Sequence, residues 1–229
     1  VYLAKDGMSR MSLTIQGQVN MTDSTLFASY RSRVLAGTRG QGEMNLKNSV
    51  MYADGLQILQ ATEDTGKATV NLDASALIQS HYSSSASLYS LVIGNDEAAN
   101  AAAVISLTNG SLLDWSKAET ARMPYEPWPA SDSVVINTNG TLEIKGNSTA
   151  KTGNITNAGA IVIDNGKLEA AAVANNGTFS VSGTGDLSGS FSGNVFNFAA
   201  GAVLTSSKGF TFDGDYVTDS LTAIGAGEF

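Results

Sequence analysis

The chain has 229 residues, 13 of them basic and 21 acidic, for a net charge of −8, and that negative excess excludes a nucleic-acid backbone as its partner. Charged residues make up only 15% and proline occurs three times, which excludes a coiled coil and an extended linker. Cysteine is absent, so disulfides, thiolate metal sites and thiol catalysis are excluded too.

Gly, Ser, Thr and Asn together supply 88 residues, yet the apolar residues recur on a regular grid, as a folded chain requires. The longest apolar run, around Ala101 to Leu107, falls far short of the ~20 residues that cross a bilayer. No direct membrane insertion by this chain is expected. It opens on Val1 without a basic n-region or cleavage site, which reads as a mature product or an excised fragment.

In the first half a nine-residue pattern recurs: apolar, Asn or Ser, apolar, two variable, a small residue, one variable, two apolar. The copies are Val19-Asn20-Met21 to Leu26-Phe27, Met44-Asn45-Leu46 to Met51-Tyr52, Val70-Asn71-Leu72 to Leu77-Ile78, and Ile105-Ser106-Leu107 to Leu112-Leu113. The small residues are Ser24, Ser49, Ser75 and Gly110, spaced 25, 26 and 35 residues apart. The long third interval predicts a loop insertion. Ala98 to Ala103 is the one stretch where a short helical turn is expected.

All three prolines fall between Met123 and Ala130. This segment divides the chain into a part with longer coils (1–122), a Pro-rich loop (123–130) and a part with shorter coils (131–229), one continuous solenoid being preferred to two domains. Beyond it the motif contracts to Gly, small, apolar, variable, apolar. Copies stand at Gly140-Thr141-Leu142-Glu143-Ile144, Gly159-Ala160-Ile161-Val162-Ile163 and Gly177-Thr178-Phe179-Ser180-Val181.

Period-2 strands entered through Gly, Asn or Ser and repeating every 18 to 26 residues predict an all-β fold: a right-handed parallel β-helix, or β-solenoid, with loop insertions. The length gives roughly nine to eleven coils and a rod about 45 Å long. A β-sandwich also uses short strands, but seldom repeats one motif at a near-constant period. The shared phase predicts Val70, Leu72, Leu77, Ile105, Leu107, Leu112, Leu142, Ile144, Ile161, Ile163, Phe179 and Val181 as inward. Asn before the turns suits left-handed corners, and stacked Asn side chains are expected to form ladders.

Catalytic signals are sparse. His81 is the only histidine and sits beside a serine-rich run, where an exposed loop residue is a simpler reading than the base of a triad. Asp213, Asp215 and Asp219 around Gly214 are a weak Ca²⁺ candidate; no other cofactor is expected. Polygalacturonase-like motifs are missing, with Asn137-Thr138-Asn139 where an acid is needed and Glu143-Ile144-Lys145 in place of a basic signature. No catalytic residue is assigned. Contact with a partner is expected where the repeat breaks, at Tyr82 and Tyr89 in the long interval and at Tyr125 and Trp128 in the Pro-rich loop.

Segments such as Leu107-Thr108-Asn109-Gly110-Ser111-Leu112, Asn137-Thr138-Asn139-Gly140-Thr141-Leu142 and Ile155-Thr156-Asn157-Ala158-Gly159-Ala160-Ile161 resemble the passenger repeats of Gram-negative autotransporters and related type V secreted adhesins. The resemblance implies a β-helix at the cell surface or outside a Gram-negative bacterium, serving adhesion, self-association or display. Its partners would be a host or neighbouring-cell surface protein or glycan. No run of ~10-residue alternating barrel strands follows Phe212, so this would be a passenger piece. The alternatives are a polysaccharide lyase or hydrolase on the same fold and a self-assembling envelope or filament protein.

Overall fold

The computed structural model describes residues 12–36, 41–59, 66–79, 91–98, 100–116, 133–218 and 221–228. Among them there are seventeen strands and no helix. The first are β1 (Ser12–Ile15), β2 (Gly17–Thr22), β3 (Thr25–Ala36), β4 (Gln41–Lys47), β5 (Val50–Ile58) and β6 (Lys67–Asp73). Next come β7 (Ala76–Gln79), β8 (Leu91–Ile93), β9 (Ala102–Thr108), β10 (Leu112–Trp115) and β11 (Ser133–Ile136). The last are β12 (Gly140–Lys145), β13 (Thr149–Asn157), β14 (Ala160–Asn175), β15 (Thr178–Phe198), β16 (Ala202–Thr218) and β17 (Leu221–Glu228).

Every pairing between described strands is parallel, and each strand bonds to one a repeat later. The result is one curled sheet made of three ladders. The first runs β2, β4, β6, β9, β12 and then the openings of β14 and β15. The second runs from the start of β3 through β5, β7, β10, β13, β14, β15 and β16 to β17, nine segments in all. The third, of ten segments, runs β1, the end of β3, the end of β5, β8, β11, the later parts of β13, β14, β15 and β16, and the end of β17. Strands on either side of the proline segment bond directly: β9 to β12, β10 to β13 and β8 to β11.

Alternation puts one side of each ladder inside. Eleven of the twelve residues expected to point inward are at most 1% exposed, Val70, Ile105, Leu142, Ile161 and Phe179 among them. Leu112 is the exception: it is half-buried and faces out, while Leu113 is fully buried. The turn before it explains the slip. Leu113 is in register with Leu77, because Thr108-Asn109-Gly110-Ser111 is one residue longer than Asp73-Ala74-Ser75. Ser111, not Gly110, therefore holds the place of Ser75, and one extra residue reverses the face.

The corners between the first two ladders are left-handed. Asp23, Asn48, Ala74, Asn109 and Asn147 have φ between 48° and 61°, a region that Asn and Asp enter more cheaply than other side chains. Where a short helical turn was expected, Ala98 and Ala101 close tight turns instead, with Ala98 N–H to Asn95 O and Ala101 N–H to Ala98 O at 3.0 Å. Ala102 then begins β9, since Ala103, Ile105 and Leu107 must alternate into the core. In the second half the strands run far beyond the five-residue motif, β15 spanning 21 residues. They round the corners by register shifts rather than by ending, as at Asp164/Gly166 and Gly193/Phe196.

Each short-motif glycine is demanded by close approach. A Cβ on Gly159 would strike the carbonyl of Gly140, and one on Gly177 the carbonyl of Gly159. Near the end of the stack the aliphatic core becomes aromatic. Phe196 lies 5.2 Å from Phe179, 6.5 Å from Phe191 and 4.9 Å from Phe212, ring centre to ring centre.

Candidate functional site

Of the residues singled out for contact or chemistry, Tyr82, Tyr89, Tyr125, Trp128, His81 and Asp219, with the whole 123–130 segment, lie outside the described residues. Asp213 and Asp215 are exposed on β16, on either side of Gly214. Among the described residues no group of three or more His, Cys, Asp or Glu is gathered as a metal site.

The structure builds a polar site elsewhere, on the outer side of the second ladder. Strand register brings residues 18 and 19 apart into contact: Thr149 stacks on Lys167 and Lys167 on Asp186, while beside them Lys151 stacks on Glu169 and Glu169 on Ser188. The Lys167 ammonium reaches Glu169 at 3.0 Å and Asp186 at 2.9 Å. Lys208 closes the cluster on Glu169 at 2.6 Å.

These contacts fix the charge states. Burial alone raises the Glu169 carboxyl, but the hydrogen bonds from Lys208 and Lys167 outweigh it and hold the group below the ordinary carboxylate range. Hydrogen bonds to Asp186 and then to Glu169 raise Lys167 above the usual ammonium value. Glu169 is thus a fixed anion and Lys167 a fixed cation near neutral pH. Neither is poised to exchange a proton there. Next to them lies an open groove of about 400 Å³ lined by Lys151, Glu169, Ser188 and Lys208, whose chemistry is that of donors and acceptors for hydroxyl or anionic groups.

The first ladder carries amide chemistry. Asn45 Nδ2 donates to Asn20 Oδ1 at 2.9 Å and Asn71 Nδ2 to Asn45 Oδ1 at 2.8 Å, the Asn ladder expected from the repeat. Gln18 donates to Glu43 at 2.9 Å alongside, and with Lys67 and Thr69 they line a second groove of about 530 Å³. A buried relative of this ladder was not anticipated: Asn157 donates to Asn175 at 2.7 Å, continuing a column in which Ile58, Ile93 and Ile136 precede them.

The cluster of Lys167, Glu169, Asp186 and Lys208 escaped the sequence reading because its members are not adjacent in the chain. One signal was present. Lys167 and Asp186 are separated by nearly the Gly159-to-Gly177 spacing, so they hold equivalent repeat positions. Lys208 gave no such signal, because the register shifts between Asp186 and Gly189.

No family model, curated protein or solved structure matches this chain.

Proposed function

We propose that the chain is a right-handed parallel β-helix of about nine coils that acts without catalysis, as a displayed stalk or adhesin segment of an autotransporter-like passenger. One observation carries this reading: two ladders of nine and ten parallel segments, held in register around one apolar column. At about 4.8 Å per segment such a stack is about 43 Å long, and it presents flat outer columns suited to contact over an extended surface. The autotransporter-like repeat segments support a location at the outer surface of a Gram-negative cell. Its partners would be a surface protein or glycan, met by the outer columns and by the segment holding Tyr125 and Trp128.

Immobilised full-length chain should retain epithelial cells or bacteria, or bind members of a glycan array, without altering them. Release of oligosaccharides from uronate or neutral polysaccharides would overturn the reading in favour of an enzyme. Fibres growing with concentration, with no cell or glycan binding, would instead point to a self-assembling envelope protein.

A further inference from the structure

The outer side of the second ladder changes character along the stack. In its first half the outward positions are mostly apolar: Phe27 beside the exposed Thr25, then Val50 and Tyr52, then Ala76 and Ile78, then Leu112 beside Asp114, all but Thr25 half-buried. Phe27 stacks on Tyr52 at 4.8 Å with rings 2° from parallel. The first ladder carries Gln18, Asn20, Glu43, Asn45, Thr69 and Asn71 on its outer side in the corresponding strands. Apolar outward residues are therefore more frequent on this side than on the first ladder, although Val104 also faces outward there and Val92 and Val135 do so on the third.

From Asp114 onward the same side is ionic but balanced. Asp114, Glu169 and Asp186 are matched by Lys151, Lys167 and Lys208, in a chain whose net charge is −8. Two copies carrying that net charge repel least where the local charge cancels.

We propose that this side is a homodimer interface, with a two-fold axis parallel to the stack. This deepens the self-association named for the passenger-like role and rests on that role. The two-fold places each of the two outward columns against the other column of the second copy. Val50 then meets Tyr52, Ala76 meets Ile78, and Lys167 meets Glu169. The pattern is self-complementary at these three levels, with Leu112 opposite Asp114 between the apolar and ionic parts, whereas an antiparallel two-fold centred on the apolar half would leave the ionic half uncovered. Two columns about 7 Å apart and about 43 Å long bury on the order of 600 Å² per copy, at the lower end for specific interfaces. The association is accordingly weak and concentration-dependent.

Sedimentation velocity of the full chain between about 1 and 100 μM tests it. A monomer–dimer equilibrium is expected, weakened at least tenfold by Ile78→Glu and by Ala76→Lys alone. An equimolar mixture of the two variants should recover dimer, because the lysine introduced in one copy then faces the glutamate introduced in the other. Circular dichroism melts of both variants should match the wild type, since the changed side chains face outward. A wild-type monomer at every concentration overturns the proposal; so does a dimer that survives both substitutions, or variants that do not complement. A lower melting point for Ile78→Glu without any wild-type dimer would overturn it in favour of another part of the chain covering this side. Cell or glycan binding by a strictly monomeric wild type would sink the interface alone and leave the display role standing.

Discussion

The backbone N–H of Ser49 donates to the hydroxyl of Ser75, 26 residues along the chain, at 3.0 Å. Ser24 makes the same bond to Ser49 at 3.2 Å, Ser75 to Ser111 at 3.1 Å and Ser111 to Ser148 at 3.1 Å. The hydroxyls of Ser24, Ser49, Ser75 and Ser111 in turn donate back into their own turns, Ser75 to Asp73 O at 2.8 Å for one. The corner is thus a hydrogen-bonded relay through five successive repeats. Asn and Asp tolerate the left-handed residue before it, but serine supplies a short donor and acceptor able to reach both the neighbouring strand turn and its own backbone.

Removing one relay member should cost more than a surface hydroxyl would. Ser75→Ala leaves the Ser49 N–H buried without its acceptor, a loss of about 1–3 kcal/mol. For a chain of this length that lowers the melting temperature by about 2–4 °C per kcal/mol. Ser24→Ala, whose residue is exposed at the end of the relay, should change it much less. Equal effects from the two would show that the relay is not what holds the corner.

Gly159 tests close approach. Its φ is not in the left-handed region, so the barrier to Gly159→Ala is contact with the Gly140 and Asn137 carbonyls rather than backbone preference. Overpacking of this kind costs about 1–3 kcal/mol or more. Gly177→Ala, against the Gly159 carbonyl, should behave alike. Chemical denaturation that leaves the Gly159→Ala midpoint unchanged would rule out the tight stacking.

The aromatic end of the core predicts the steepest loss. Phe196 is 0% exposed and touches Phe179, Phe191 and Phe212, so Phe196→Ala should cost about 3–5 kcal/mol. Phe196→Leu should recover most of it. A small effect of the alanine would mean that the last strands contribute little to global stability.

The ionic cluster predicts a pH dependence with a definite sign. Glu169 is lowered on folding, so its stabilisation is complete above the ordinary carboxylate value of about 4.3 and fades as pH falls through the folded value. Lys167 is raised, so its share is complete below about 10.4 and fades as pH rises through the folded value. Glu169→Gln should therefore flatten the acid limb of the stability profile, and Lys167→Met the alkaline limb as well. Partial exposure limits each effect to about 0.2–1 kcal/mol, shrinking further in high salt. An acid limb identical in wild type and Glu169→Gln would contradict the assignment.

What sequence alone determined was the alternation and its period. Val70, Ile105, Leu142, Ile161 and Phe179 are inward because each sits in a strand motif whose apolar phase is local, and a period near 18 to 26 leaves parallel stacking as the way to bury that phase. The αL corners at Asn48, Asn109 and Asn147 were legible for the same reason: the preference is carried by one residue. What only the tertiary structure decided was register between successive repeats. A single extra residue before Ser111 turned Leu112 outward and Leu113 inward. The meeting of Lys167 with Asp186, and of Lys208 with Glu169, depends on how many residues each corner absorbs. The apolar outer side at Val50, Tyr52, Ala76 and Ile78 was hidden likewise, since in one strand it reads only as a second apolar residue. Strand propensity is set within a few residues, whereas what stacks on what is set by summed corner lengths, and one residue of error there exchanges core for surface.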